Sequence, residues 1–173
     1  QEVEPGSGVV GIAYSGGNMP RGYYNAPQET ANTFVTINGE RYVRTGDRCT
    51  VRADGMLELL GRDSTVVNTG GEKVYTVEVE RVLLEHPDID DVVVVGLPHS
   101  RFGKQVTAVV QRTDRDDASL DIQSIQAFAA QKLADYKIPR LIFAAQSLNR
   151  APNGKPDYPF VMDYAQRCLD SMS

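Results

Sequence analysis

The chain has 173 residues, of which 41% are hydrophobic and 24% charged, and its formal net charge is −5. This composition is enough to build a core in one ordinary domain or two small ones. The acidic balance and the lack of a long basic run argue against nucleic acid or an anionic membrane as the main partner. The two cysteines, Cys49 and Cys168, fit neither a disulfide framework nor a zinc site. This use of cysteine favours a cytoplasmic protein. No transmembrane segment is expected, because the longest apolar runs have only the length of a strand.

The first part of the chain, residues 1–60, is predicted to be rich in β-strands. Residues 9–14 form an apolar run between glycines, which is typical of a buried strand. A short helix is predicted at residues 26–34, beginning near Pro27. Asn38-Gly39 and Asp54-Gly55 are dipeptides that favour tight turns. Short strands are predicted beside these turns, at residues 40–44, 48–52 and 57–60.

After Gly61 the pattern changes to strands and helices that alternate around a small sheet. Val79, Val82 and Leu83 recur at helical spacing and are predicted to face the core, with Thr76 as the helix cap. In a second helix, Ile122, Ile125, Phe128 and Ala129 are expected to face the core. Strands are predicted at residues 65–69, 92–95, 106–111 and 138–144, and helices at residues 76–86, 120–133 and 159–169. The predicted fold class is α+β, with a small β-rich part followed by a compact domain of mixed sheet and flanking helices.

Asp47 follows Thr-Gly at a predicted strand end, within the motif YVRTGD at residues 42–47. A carboxylate in this place can accept hydrogen bonds from two vicinal hydroxyls, such as those of a ribose. The alternative is a turn-forming aspartate that caps its own backbone, which is common. Arg62 offers a planar fork for phosphate or hydroxyl oxygens, and the alternative is an exposed arginine at a domain edge.

Gly70-Gly71 follows a predicted strand within the motif GRDSTVVNTGGEKV at residues 61–74. Two glycines allow the backbone to approach a ligand closely, although a plain turn explains them as well. The spacing of Gly70, Gly71 and Lys73 does not match the phosphate loop GxxxxGK[ST]. Lys155 lies in PNGKPDY, on a loop rich in proline and glycine. Its ammonium group could neutralise charge that develops on a phosphate, or it could be a solvated loop lysine.

The remaining polar residues give no metal or catalytic pattern. His86 and His99 have no cysteine or histidine neighbour at metal-ligand spacing, so no metal site is expected. No Ser-His-Asp arrangement or GxSxG motif is present. Glu78 and Glu80 are expected to lie, with Arg81, on a solvated helix face.

Taken in order, YVRTGD, GRDSTVVNTGGEKV, LADYKIP and PNGKPDY resemble successive motifs of the C-terminal third of the adenylate-forming superfamily. This superfamily includes acyl-CoA synthetases, luciferases and peptide-synthetase adenylation domains. The run from GGEK to VVVVGLP looks most similar to bacterial fatty-acyl-CoA synthetases, which are long-chain fatty acid–CoA ligases. The resemblance covers nearly the whole chain. It implies an enzyme of lipid metabolism that joins a carboxylic acid to ATP, forms an acyl-adenylate, and transfers the acyl group to coenzyme A.

The resemblance also implies a role for each site residue. Asp47 would bind the ribose hydroxyls of ATP, and Arg62 would contact the ribose or the phosphates. Lys155 would bridge the acyl carboxylate and the α-phosphate. A rotation at a hinge would then bring the loop of Gly70, Gly71 and Lys73 to the coenzyme A tunnel. The hinge position falls on Ser64, where the family usually has aspartate or lysine. A serine can also serve as a hinge, because the requirement is a change of backbone dihedrals.

The resemblance further implies that residues 1–61 end a large N-terminal AMP-binding domain, 62–65 form the hinge, and 66–173 form the mobile C-terminal domain. The family's phosphate loop and acyl pocket have no counterpart in this sequence. We therefore expect a fragment that is inactive alone, with ATP and its Mg²⁺ bound mostly by the missing domain. The resemblance is also compatible with peripheral contact with a membrane. Two alternatives remain, namely an acyl-AMP ligase or adenylation domain that delivers to a carrier-protein thiol, and a non-catalytic interaction domain.

Overall fold

The computed structural model describes residues 2–112 and 120–172, which divide into two compact units, Gln1–Ser64 and Thr65–Ser173. Each unit is built around its own β-sheet, and helices accompany both. The α+β class predicted from the sequence is therefore confirmed. None of the helices in the described ranges has the length and apolar character needed to cross a membrane.

The first unit is a four-stranded antiparallel sheet in which the long strand β3 pairs with β1, β2 and β4. Its elements are β1 (Gly11–Ser15), α1 (Pro27–Thr33), β2 (Phe34–Ile37), β3 (Glu40–Val51) and β4 (Leu57–Arg62). The helix at Pro27 is confirmed, and the turn Asn38-Gly39 joins β2 to β3 with φ of 52° and 85°. Positive φ at both residues is the geometry that suits the twist of a two-residue hairpin.

One continuous strand, β3, replaces the two short strands predicted at residues 40–44 and 48–52. The prediction of two strands was wrong, because the chain continues through residues 45–47 without leaving the sheet. Gly46 takes φ of 80° within the strand, and the register shifts at Ile12/Tyr14 and at Arg48/Cys49. Such bulges bend a strand without ending it.

The second unit is a five-stranded mixed sheet in the order β6-β5-β8-β7, with β9 parallel to β8. A short 3₁₀ helix at Asp63–Thr65 precedes it, and another lies at Asp135–Lys137. Its strands are β5 (Val67–Thr69), β6 (Glu72–Val74), β7 (Ile89–His99), β8 (Gly103–Arg112) and β9 (Leu141–Ala144). Its helices are α2 (Thr76–Leu83), α3 (Ile122–Ala130) and α4 (Tyr158–Asp170).

The sheet of the second unit is buried on both faces, which explains the uninterrupted run of valines in β7. Val92 and Val94 pack with residues of α2 and α3, whereas Val93 and Val95 pack with residues of α4. Alternate residues of a strand point to opposite faces, so a strand covered on both sides contains consecutive apolar residues.

The helix predictions were largely correct, although α2 and α3 are shorter than the predicted ranges 76–86 and 120–133. Val79, Val82 and Leu83 are buried, as predicted. Ile122 was predicted to face the core but keeps 39% of its surface exposed, because it occupies the first turn of α3. Thr76 does not cap α2, since the N-cap is Tyr75 and Thr76 lies inside the helix with 1% exposure.

Candidate functional site

Asp47 and Arg62 lie opposite each other on β3 and β4 of the first unit. The Nε atom of Arg62 is 3.3 Å from Oδ1 of Asp47, and the side chains are 65% and 32% exposed. The backbone N–H of Asp47 donates to Oγ1 of Thr45 at 3.2 Å. Asp47 thus lies within a strand, so its interpretation as a turn-forming residue is wrong. The pair presents a carboxylate and a guanidinium side by side on neighbouring strands, and the guanidinium is the more exposed of the two.

Ser64 lies in the 3₁₀ helix Asp63–Thr65, and the division between the two compact units falls directly after it. The preceding Asp63 accepts two hydrogen bonds from Arg48, at 2.7 and 2.8 Å. This ion pair fixes the chain to β3 immediately before Ser64. The segment therefore leaves the first sheet at a well-anchored point.

In the second unit, Gly70 and Gly71 form the two-residue turn between β5 and β6, with φ of 58° and 93°. Both angles are positive, which is the geometry expected of a tight hairpin. The N–H of Gly70 donates to the carbonyl of Phe102 at 3.0 Å. Lys73 lies on β6 opposite Asn68 and is exposed. The glycine pair is therefore a turn, and the turn is held against the β7–β8 connection.

Lys155 lies on an exposed loop before α4. Its N–H donates to the side chain of Asn153 at 3.2 Å, and its carbonyl accepts from the N–H of Ala151 at 2.9 Å. Gly154 takes φ of 79°, which closes the turn. The main chain at Lys155 is therefore held in a compact turn while its side chain is exposed. This loop, residues 151–155, is called the lysine loop below.

Two acidic residues and an arginine, namely Glu80, Asp91 and Arg150, form a cluster beside the lysine loop, and the sequence had indicated none of them as a site residue. Arg150 donates to both carboxylate oxygens of Asp91, at 2.5 and 2.7 Å. This hydrogen-bonded pairing raises the pKa of Arg150 above its ordinary value. Glu80, predicted to be solvated, instead accepts the N–H of Val94 at 2.8 Å, and burial raises the pKa of Glu80. Helical spacing could not reveal this, because the partner lies on β7.

The glycine turn and the lysine loop lie at opposite ends of β7. Thr69, beside the glycine turn, pairs with Gly103, which in turn pairs with His99 at the end of β7. The lysine loop is instead tied through Arg150 to Asp91, near the start of β7. At about 3.3 Å per residue, the eight residues from Asp91 to His99 span about 26 Å. The second unit thus presents two separate polar loops.

Each of the two histidines packs against a phenylalanine ring. His86 is 6% exposed and packs edge-on against Phe128 at 5.3 Å, whereas His99 stacks on Phe102 at 4.7 Å. Across residues 2–112 and 120–172, no group of three or more His, Cys, Asp or Glu side chains could hold a metal ion.

Comparison with known proteins places the chain in a family. Residues 78–155 match the model of the AMP-binding enzyme C-terminal domain. A medium/long-chain-fatty-acid–CoA/3-oxocholest-4-en-26-oate–CoA ligase of Mycobacterium tuberculosis is 44% identical over 165 residues, which are 95% of this chain and 30% of that protein. A 3-oxocholest-4-en-26-oate–CoA ligase of Rhodococcus rhodochrous is 45% identical over 161 residues, which are 93% of this chain and 29% of that protein.

A solved structure is also similar to this chain in fold and in sequence. The amide bond synthetase McbA of Marinactinospora thermotolerans matches with a TM-score of 0.78 and 34% identity, over 91% of this chain and 31% of that one. The chain spans about 30% of the length of the curated relatives it matches. The ordered motifs, the two-unit fold and these similarities agree, and the chain is a member of the adenylate-forming superfamily.

Proposed function

We propose that this chain supplies the mobile part of an ATP-dependent acyl-CoA ligase. In the first half-reaction, a carboxylate oxygen attacks the α-phosphorus of ATP, and pyrophosphate leaves. In the second, the thiolate sulfur of coenzyme A attacks the acyl carbonyl carbon, and AMP leaves. The observation that carries the proposal is the pair of polar loops at opposite ends of β7, because two half-reactions with different reactants need two different sets of groups.

Lys155 serves the first half-reaction. Its ammonium group bridges the acyl carboxylate and the α-phosphate and compensates the negative charge that develops as the new bond forms. The exposed position of Lys155 on a turned loop supports this role, since the side chain can enter a site contributed by another part of the protein.

Asp47 and Arg62 bind the nucleotide. The carboxylate of Asp47 accepts hydrogen bonds from the two ribose hydroxyls, and Arg62 contacts the ribose or the phosphates. Mg²⁺ accompanies ATP and is held mostly outside this chain.

Gly70, Gly71 and Lys73 serve the second half-reaction by lining the path of coenzyme A. Residues 66–173 would rotate about residues 62–65, with Ser64 as the pivot, relative to the domain that residues 1–61 complete. The break between compact units after Ser64 supports this assignment. Only one of the two loops can occupy a given place at a time, because they lie at opposite ends of β7, whose residues 91–99 span about 26 Å.

The substrate is a hydrophobic carboxylic acid, most simply a fatty acid, in line with the names of the relatives. The reaction takes place in the cytoplasm, and peripheral membrane contact would be compatible with such a substrate. The isolated chain is expected to be inactive.

The test separates the two half-reactions in the full-length protein. Lys155→Ala should slow acyl-adenylate formation by about 100- to 1,000-fold, which is the usual loss when one such donor is removed. The same variant should still convert supplied acyl-adenylate to acyl-CoA. Lys132→Ala, which removes an exposed lysine paired with Glu85, is the control and should leave both rates unchanged.

Several outcomes would contradict the proposal. Equal loss of both half-reactions would show that Lys155 has no role specific to adenylation. Transfer to a carrier-protein thiol without acyl-CoA formation would favour the acyl-AMP ligase alternative. Absence of nucleotide binding by the full-length protein would favour a non-catalytic interaction domain, and ATP–pyrophosphate exchange by this chain alone would contradict its expected inactivity.

A further inference from the structure

Arg150 joins the lysine loop to the central sheet of the second unit. Its Nε and Nη2 atoms donate to the two carboxylate oxygens of Asp91, at 2.5 and 2.7 Å. Nη2 also donates to the carbonyl of Val92 at 3.2 Å. The remaining nitrogen, Nη1, donates to the carbonyl of Gly154 at 3.0 Å. One guanidinium group therefore contacts both the sheet and the residue immediately before Lys155.

The sheet end of this connection is rigid. Asp91 lies where the register of β7 shifts against β8, and its Oδ1 atom also accepts the N–H of Val92 at 2.8 Å. Val92 and Val93 beside it are 1% and 0% exposed, on opposite faces of the sheet. A carboxylate supported in this way has little freedom to move, because the side chains around its backbone are closely packed.

The lysine loop is ordered by hydrogen bonds within itself, but these bonds do not fix its position relative to the sheet. The hydrogen bonds from Ala151 N–H to Lys155 and from Gly154 N–H to Ala151 close the turn within the loop. On the far side, Asn149 donates to Asp157 at 3.0 Å. These bonds keep the shape of the turn, whereas Arg150 sets its distance from β7.

We propose that Arg150, held by Asp91, is a positioning residue that fixes the lysine loop on the sheet so that Lys155 meets the reacting groups during adenylation. This inference rests on the proposed function of Lys155. Positioning matters because a misplacement of about 1 Å can reduce a rate about 100-fold. The partly buried guanidinium–carboxylate pair, 31% and 25% exposed, is suited to such a task, since the planar fork of arginine matches a carboxylate in one geometry.

The first arm of the experiment measures the two half-reactions of the full-length protein. Arg150→Ala and Asp91→Ala should each slow adenylation about 10- to 100-fold and leave acyl transfer from supplied acyl-adenylate within about twofold, because the glycine turn lies at the other end of β7. The double variant should lose no more than the worse single one, because both changes break one unit. Arg150→Lys should recover part of the rate, since one ammonium can reach only some of the acceptors.

A matched control is available in the same unit. Lys137 and Glu78 also form a partly buried pair, 20% and 24% exposed, with both contacts at 2.7 Å. Lys137→Ala should lower the stability of the unit about as much as Arg150→Ala and leave adenylation within about twofold. This comparison separates a loss of position from a general loss of stability.

The second arm follows amide hydrogen exchange in the same full-length variants and does not depend on activity. Arg150→Ala should speed exchange at Gly154 and Lys155 by more than about fivefold, because their turn is released from the sheet, and Lys137→Ala should not. If the wild-type protein forms no acyl-adenylate, the proposed function fails, while the exchange rates still decide whether Arg150 holds the loop. Unchanged exchange in Arg150→Ala, or equal slowing of both half-reactions, would overturn the inference.

Discussion

Asp47 and Arg62 are paired by the register of two antiparallel strands, β3 and β4, and their side chains meet at 3.3 Å. The carboxylate and the guanidinium are therefore placed by backbone hydrogen bonds before any ligand arrives. A pair organised in this way would lose little conformational entropy in binding the proposed nucleotide.

Substitution of Asp47 should weaken nucleotide binding in the full-length protein. A hydrogen bond to a charged group contributes about 1.5–3 kcal/mol, so Asp47→Ala should reduce the affinity for ATP about 10- to 100-fold. The sharper measurement compares ATP with 2′-deoxy-ATP by titration calorimetry. The wild-type protein should prefer ATP, and Asp47→Ala should bind the two nucleotides almost equally.

Asp54→Asn is a suitable control, because Asp54 lies at the β3–β4 turn of the same hairpin and pairs with Arg52. It should leave both affinities unchanged. If Asp47→Ala still prefers ATP to 2′-deoxy-ATP, the assignment of Asp47 to ribose binding is wrong.

The glycine turn provides the second prediction. Gly71 has φ of 93° with no other atom within 4 Å of a Cβ added to it, so the cost of Gly71→Ala is backbone strain of about 1–2 kcal/mol. We expect this strain to alter the turn and slow acyl transfer to coenzyme A several-fold, while adenylation stays unchanged. Single-turnover assays of each half-reaction give the measurement.

Gly39→Ala is the matched control, because Gly39 also lies in a two-residue hairpin turn, with φ of 85° and no neighbouring atom within 4 Å. It should cost similar stability and leave acyl transfer unchanged. If the two substitutions slow acyl transfer equally, the assignment of the glycine turn to the coenzyme A path is wrong.

Local sequence patterns predicted the main elements because those depend on spacing along the chain. The helical repeat of Val79, Val82 and Leu83 identifies a buried face, and Asn38-Gly39 identifies a hairpin. Bulges such as the one that lets β3 pass Gly46 depend on partners in β1 and β4 and leave no clear local pattern.

At the candidate site too, the local motifs could be predicted from the sequence, whereas the contacts between distant residues could not. The motifs around Asp47, Arg62 and Lys155 were visible in the sequence, and the register of β3 and β4 adds the contact between the first two. The bond from Arg150 to Asp91 joins residues 59 positions apart, so only the folded sheet brings them together. The environment of Glu80 likewise depends on the backbone of β7.

Thr76 provides a prediction for stability. Its hydroxyl is buried, and within the described residues Oγ1 has no hydrogen-bond partner. An unsatisfied buried polar group costs about 1–3 kcal/mol, and valine has nearly the same shape without the hydroxyl. Thr76→Val should therefore stabilise the second unit by about 1 kcal/mol in chemical denaturation.

The same change at Thr107 is the control. Thr107 is also fully buried, but its hydroxyl donates a long hydrogen bond of 3.5 Å to the carbonyl of Gln105. Thr107→Val should bring a smaller gain or a loss. If Thr76→Val is instead the more destabilising of the two, the hydroxyl of Thr76 makes a favourable contact through water.

Glu80 gives a pH-dependent prediction. Burial raises the pKa of Glu80 above its ordinary value of 4.5, and the nearby Asp91 raises it further, while the Val94 N–H and Arg150 lower it. A carboxyl group whose pKa is higher in the folded state favours folding when protonated. Its contribution to stability is fully present below pH 4.5 and is lost as the pH rises through the raised pKa.

Glu80→Gln should remove this dependence, because an amide does not ionise and its oxygen can still accept the N–H of Val94. The free energy of unfolding of the wild type minus that of Glu80→Gln should therefore fall as the pH rises from 4 towards neutrality, and then level off. Urea titrations of both proteins at matched pH values give this difference, in which the other titrating groups largely cancel. A difference that grows with pH would mean that the attraction between ionised Glu80 and Arg150 outweighs the cost of burying the charge.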